Sequence, residues 1–495
     1  MTSSKSINPP SFTSPANNIG ASAILLGGGQ FLTRLINFGW MIYFAKHLGP
    51  SDFGLYNTTM SFVALVLPVS NFGISLAVIR EATRRAAEAP KLFGSFFWIR
   101  LLSSLVLWTG LMIVLPVLGY PQFMWKVFLL AGAHLAVTTI TQVGEAIYIA
   151  HQRTSYLWAT QLASAIGWAL LGFCVLSNGK GLNWLFGAMV LNSVLIAAAH
   201  AWVVKHRFEW PDFTLDRTTM VRELKEGAPM GGVSLFNTAG EKLDRVLLSL
   251  FCAPLIVGYY SLASILMLTV VETVWHPFMT VLYPIMSRAG VHHDVDLPWI
   301  CRKAILWTAV LAFPATATLL FFSSTIVQRI WGMAYEPTGR LLALLACCLP
   351  FVAWNRIFGN LLITSHEEKA YFQINAGTFV MTLSLNCLLM PRFGADAAAW
   401  VFILSQVVQS GLYFLVIRKR IHRIWEPLRL TAVLGTTLLC FAPLLWVPHR
   451  LVAFLIIIPI FIITLYWKLF DEEDRTLAKR WTRHLLQIPT AVVLP

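Results

Sequence analysis

Residues 304–323 read AILWTAVLAFPATATLLFFS, a run without one ionisable side chain, bounded by Arg302-Lys303 before it and Arg329 after it. A helix rises about 1.5 Å per residue, so a run of this length crosses a hydrocarbon core of about 30 Å. No water is present there to satisfy a peptide group, which leaves a closed helical backbone as the conformation that fits. Runs of the same kind recur outward from this one. They fall at 19–45, 57–79, 92–116, 127–150, 157–177, 183–204, 229–251 and 258–283 on the N-terminal side. On the C-terminal side they fall at 339–363, 371–390, 396–417, 430–447 and 451–468. Composition agrees: 57% of residues are hydrophobic and 12% charged, against about 25% charged in soluble domains. The sequence predicts an all-α polytopic membrane protein with about fourteen transmembrane helices.

Spans packed this densely leave no room for a large extramembrane catalytic domain. The net charge of +14 would suggest nucleic acid in a soluble protein, but here it reads as a topological signal facing anionic lipid, with no nucleic acid implied. Of the 37 Lys and Arg residues, 25 fall in loops on one side and 7 in loops on the other. That bias places both termini in the cytoplasm. The seven cysteines show no CxxC and no regular spacing, so they read as small apolar residues and not as a metal site or disulfide framework.

The chain repeats itself weakly. Pro50, Gly54, Tyr56 and Arg84 recur 204 positions on as Pro254, Gly258, Tyr260 and Arg288, and Gly144, His151 and Tyr156 recur 215 positions on as Gly359, His366 and Tyr371. Both sets fall at equivalent places in the topology, which predicts two parallel six-helix lobes. The expected organisation is a disordered cytoplasmic tail at 1–18, an N-lobe at 19–204 and a cytoplasmic linker at 205–228. A C-lobe at 229–417, a two-helix appendage at 418–468 and a cytoplasmic tail at 469–495 complete it. The tail's Leu477, Trp481, Leu485 and Ile488 share one helical face and suit an interfacial helix as well as a solvated segment.

Charged side chains inside spans are costly and usually face a polar interior. Arg34, Arg100, Glu145, Glu272 and Arg356 are of this kind, and the span at 229–251 carries Glu241, Lys242, Asp244 and Arg245. Glu241 and Arg245 stand one helical turn apart and are spaced to pair. Arg34, Lys242, Arg245 and Arg356 are expected to bind an anionic ligand, since guanidinium forks suit phosphate oxygens. Asp244, Glu241, Glu145 and Glu272 are expected to support or couple. For all of them the competing reading is pairing that fixes helix packing, and Arg100, near a span end, suits snorkelling. His134, His200 and His276 read as scattered, satisfied core residues. Gly27-Gly28-Gly29 and Gly231-Gly232 open the first span of each expected lobe, where glycine permits close packing or bending. No GxxxxGK[ST], HExxH or nucleophile elbow occurs, so no ATP motor, metal or other cofactor is expected, and no enzyme.

The stretch from Leu32-Thr33-Arg34 through His47-Leu48-Gly49-Pro50-Ser51-Asp52-Phe53-Gly54-Leu55-Tyr56, with Asn71-Phe72-Gly73-Ile74-Ser75 and Arg80-Glu81, resembles the Wzx-type polysaccharide and O-antigen flippases. These belong to the multidrug/oligosaccharidyl-lipid/polysaccharide exporter superfamily. Asp244-Arg245-Val246-Leu247-Leu248 and Val257-Gly258-Tyr259-Tyr260 look like a second copy of the unit. The resemblance implies flipping of undecaprenyl-diphosphate-linked oligosaccharide across the bacterial inner membrane by alternating access around a cationic cavity. It implies as partners the lipid-linked oligosaccharide, membrane lipids, a polysaccharide polymerase and a chain-length regulator. Arg34 and the Asp244-Arg245 pair look like the family's diphosphate-binding positions. Multidrug exporters of the superfamily favour a carboxylate in the first span, where this chain has Arg34. An ion-coupled drug exporter and an integral-membrane glycosyltransferase or polymerase are the competing classes.

Overall fold

The computed structural model describes the backbone of residues 17–71, 73–214, 216–291, 297–365, 367–420, 427–445 and 450–464. Among these every regular element is a helix. They run α1 (Asn17–Asn71), α2 (Ile74–Arg84), α3 (Ala89–Val114), α4 (Gln122–Ala150), α5 (Thr154–Ser177), α6 (Leu182–Arg207) and α7 (Arg217–Phe251). The chain continues through α8 (Pro254–Val291), α9 (Leu297–Trp331), α10 (Glu336–Ala346), α11 (Leu349–Thr364), α12 (Glu368–Arg420), α13 (Pro427–Phe441) and α14 (Arg450–Thr464). The two tails, with the basic and amphipathic segment after Phe470, lie outside the described residues.

Eight described helices are long and apolar enough to cross a membrane singly, and α10 with α11 make a ninth, bent by 47°. That number is below fourteen partly because two elements are double. Gly49 (φ 76°) breaks α1 and Gly394 (φ 56°) breaks α12, so each contains two rods. Only glycine adopts such angles cheaply. Pro50 then opens the second rod of α1, as Pro254 opens α8 after the non-helical Cys252-Ala253; proline fits the first turn because its missing N–H would have no helical partner there. The span expected at 57–79 is not continuous. It ends at Asn71, and Gly73 (φ 70°) precedes a separate α2. The span expected at 339–363 is likewise broken between α10 and α11, where Cys348 precedes Leu349 and Pro350.

The chain divides into two compact units, Met1–Val246 and Leu247–Pro495. In the first, Leu55, Phe62, Trp108, Phe128 and Phe186 build one apolar cluster, and Ile74, Phe96, Ile147, Tyr148 and Val204 build another. In the second, Ile305, Ala309, Trp354, Phe358 and Tyr413 pack α9, α11 and α12, while Phe322, Phe441 and Ile457 seat α13 and α14 on α9. Large apolar side chains also cover the outside. Val106, Ile113, Leu129 and Leu170 in the first unit, and Leu388 and Leu438 in the second, are exposed. That is how a protein whose solvent is lipid is built.

Lipid tails compete evenly with apolar side chains, so helix contact relies on close packing and on polar groups. Gly132 and Gly172 serve the first need: a Cβ at either would overlap the indole of Trp108 or Trp40. Arg100 serves the second. It is 1% exposed, bonded to Gln142 and to the carbonyl of Leu67 (3.4 Å), and its guanidinium lies 5.9 Å from the Phe96 ring centroid. Ser103 Oγ donates to the carbonyl of Ser70 (3.0 Å). Ser103 satisfies a carbonyl that the end of α1 leaves open, and Arg100 adds a second side-chain donor to the Leu67 carbonyl beside Ser70. Arg100 is therefore a structural cap and does not snorkel.

Candidate functional site: embedded cations and a polar cavity

In the first unit Arg34 is half-buried on α1, Lys242 is half-buried on α7, and Asp244 and Arg245 are buried on α7. An Asp244 carboxylate oxygen accepts the backbone N–H of Arg245 at 2.7 Å. Asp244 thereby places a negative charge at the root of the arginine. The Glu241 side chain, and with it the expected Glu241–Arg245 pair, lies outside the described residues. So do the side chain of His276 and the packing around the glycines at 27–29 and 231–232.

In the second unit Arg356 of α11 reaches Glu272 of α8, with Nη2 2.5 Å from Oε1. Both groups are partly open, at 28% and 42% exposed. The pair joins two helices that are distant in sequence, and it gives Arg356 a counter-charge. Arg356 is thus brought to Glu272, the partner that the packing reading required. Beside it lies a satisfied polar chain: Asn355 donates to Gln406 (2.9 Å), Ser410 to Asn355 (2.6 Å), and Gln409 to Asn375 (2.9 Å).

A cavity of about 440 Å³ lies within the first unit, among α1, α4, α5 and α6. Each helix contributes residues at helical spacing, so each presents one polar stripe. From α4 come His134, Thr138, Thr141 and Glu145. α5 supplies Thr160, Gln161, Ser164 and Trp168. α6 supplies Asn192, Ser193 and His200, and α1 adds Thr33 and Asn37. None of the described lining residues is Lys or Arg.

Hydrogen bonds tie the stripes together. His134 Nδ1 lies 2.7 Å from Ser193 Oγ, and Asn192 donates to the Ser164 carbonyl (3.2 Å). His200 is 3% exposed and stacks on Tyr148 with ring centroids 5.2 Å apart; neither its Nδ1 nor the Tyr148 hydroxyl has a hydrogen-bond partner. His134 and His200 are therefore not scattered. They line one cavity with Glu145: His134 is half-buried and bonded to Ser193, while His200 is buried with its Nδ1 unpartnered. The sequence did carry this signal, as polar residues at positions 134, 138, 141 and 145 on one face of an otherwise apolar helix. Reading charges one at a time passed over it.

Residues 19–289 match the family described as Polysaccharide biosynthesis protein, and residues 204–466 match the family described as Lipid II flippase MurJ. The chain belongs to the polysaccharide biosynthesis protein family. This polysaccharide biosynthesis protein is a multi-pass membrane transporter of the flippase type. It is 20% identical over 405 residues to a protein of Escherichia coli (strain K12) named "Putative O-antigen transporter", covering 79% of this chain and 94% of the relative. Its fold is similar to that of "Lipid II flippase MurJ, inward closed conformation", with a TM-score of 0.75, 14% identity and coverage of 94% of this chain and 100% of the other. It is also similar to "Inward-facing conformation of a multidrug resistance MATE family transporter of the MOP superfamily", with a TM-score of 0.62, 15% identity and coverage of 81% of this chain and 96% of the other.

Proposed function

We propose that this protein flips undecaprenyl-diphosphate-linked oligosaccharide units across the bacterial inner membrane, by alternating access of two parallel six-helix lobes at 19–204 and 229–417. Both termini face the cytoplasm in this reading. Arg34, Lys242, Arg245 and Arg356 bind the diphosphate; Asp244 orients Arg245, and Glu241, Glu145 and Glu272 support or couple. The observation that carries the reading is the buried Asp244-Arg245 unit on α7, in a chain of this family. A guanidinium fork suits a headgroup diphosphate, which it can hold by two charge-assisted hydrogen bonds. The physical need is clear: sugar hydroxyls and phosphates lose their water in lipid unless protein groups replace it.

The test uses proteoliposomes holding the full chain and a fluorescent oligosaccharide linked through diphosphate to a polyprenol. Arg34→Ala and Arg245→Ala should each slow transbilayer movement at least tenfold, with Lys at either position restoring part of the rate because charge survives and the fork does not. Native rates in the Arg34→Ala/Arg245→Ala double variant would refute the assignment. One observation favours a second reading, ion-coupled export of cationic small molecules: the first-unit cavity carries Glu145 and, among its described lining, no cation. A cationic dye loaded into the same vesicles under a proton or sodium gradient separates the two.

A further inference from the structure

The proposed diphosphate ligands are cations, yet a polar cavity in the first unit has no Lys or Arg among its described lining residues. We propose that this cavity is a binding subsite for an uncharged sugar residue, built on the lining of α1, α4, α5 and α6. The proposal rests on the glycan reading above for its biological meaning, but not for its chemistry. About 440 Å³ lies inside the range of small-molecule sites, roughly 300–1,000 Å³.

The lining decides the ligand class. A phosphate needs cations, and none of the described lining residues is one. Glu145 is the single acid among the described lining residues, set among a larger number of neutral polar groups, and tetraphenylphosphonium tests it as a cation site. What remains is mostly neutral: hydroxyls of Thr138 and Thr141, amides of Asn37 and Gln161. Threonine hydroxyls and side-chain amides both donate and accept, as do sugar hydroxyls. The threonine hydroxyls spend their protons on carbonyls within their own helix, Thr138 on Leu135 and Thr141 on Thr138. That leaves their lone pairs for donors from a ligand. Trp168 supplies an indole wall, held at its far contacts by Trp40 with ring centroids 5.7 Å apart. Aromatic walls with an array of neutral polar groups suit a ring that is apolar on its faces and polar on its rim.

Asn37, Thr141 and Gln161 are exposed or half-buried, so substituting them leaves the packed interior intact. The purified full chain in nanodiscs is titrated with free glucose, galactose, mannose, N-acetylglucosamine and N-acetylgalactosamine, followed by saturation-transfer NMR; tetraphenylphosphonium and inorganic pyrophosphate serve as cationic and anionic arms. At least one sugar should bind saturably. Asn37→Ala, Thr141→Val and Gln161→Ala should each weaken it by about threefold to tenfold, the worth of one neutral hydrogen bond. Arg340→Ala, at an exposed position of the second unit outside this lining, should leave it unchanged. Thermal melting of each variant checks that the fold survives. No saturation by any sugar of the panel overturns the proposal, as does sugar binding indifferent to all three lining variants, or preferred binding of tetraphenylphosphonium at this lining. Sugar binding without any transport of lipid-linked glycan would refute the proposed function and leave the subsite standing, while transport without sugar binding would do the reverse.

Discussion

The imidazole of His200 fills the space that a Cβ on residue 144 would need: an ideal Cβ there would lie 2.5 Å from its Nδ1. Gly144 thus sets how closely α4 and α6 approach, and it holds the ring against Tyr148. Gly144→Ala should force the ring to turn or the helices to part, at a cost of about 1–3 kcal/mol for overpacking. Thermal unfolding of the detergent-purified protein measures it. Gly187→Ala is the control, since a Cβ there meets nothing within 4 Å, and its melting point should match or exceed the native one.

Arg356 and Glu272 give a second expectation. Arg356→Glu places two acids together and should lower stability and transport; Arg356→Glu with Glu272→Arg should recover much of both. For a pair this open the coupling energy should be about 1 kcal/mol. A double-mutant cycle on unfolding reads it, and strictly additive effects would show that the contact contributes nothing.

Arg100 gives a third. Arg100→Met keeps most of the apolar stem but takes the donor from Gln142 and one of the two side-chain donors from the Leu67 carbonyl. Leaving a buried group unsatisfied costs about 1–3 kcal/mol. Lysine should rescue little, because one ammonium lacks the guanidinium's planar fork. Unchanged melting in Arg100→Met would remove the capping role assigned to it.

Asp216 supplies a pH dependence outside the membrane. It precedes α7 as its cap: one carboxylate oxygen accepts the Thr218 N–H (2.9 Å) and hydroxyl (2.6 Å), the other the Thr219 hydroxyl (2.7 Å). The Thr218 and Thr219 hydroxyls, then the Thr218 N–H, hold its carboxyl below the usual value of 3.8. A depressed folded pKa means the stabilisation is complete above the unfolded value and lost as pH falls through the folded one. Exchange protection of the first α7 amides should therefore be flat from pH 7 to pH 4 and decline below that. Asp216→Ala should show the low protection throughout.

Much of the fold was legible because the hydrocarbon core imposes a length and an apolarity that no soluble helix needs. Span 304–323 lies wholly within α9, and 183–204 within α6. The joints at Gly49 and Gly394 fall in the polar gaps that the apolar runs leave at 46–56 and 391–395. What the hydropathy concealed was the breaks inside runs: at Gly73, whose positive φ ends one helix before α2, and before Leu349, where the chain bends without a glycine. The candidate site was legible in part. Charges in apolar runs flagged Glu145, Glu272 and Arg356, but pairing Glu272 with Arg356 requires knowing that α8 meets α11. The cavity was hidden because threonine, serine and asparagine inside a span cost little one at a time, and their meaning lies in sharing a face.

The polar stripe on α4 also has a consequence for how the protein is made. During synthesis α4 leaves the ribosome before α5 and α6 exist, so His134, Thr138, Thr141 and Glu145 have none of those partners. A helix with an acid and a histidine on one side partitions into lipid less willingly than its average apolarity suggests. α4 should therefore linger at the insertion channel until α6 is available, and the first unit should enter the bilayer as a group of helices instead of one span at a time.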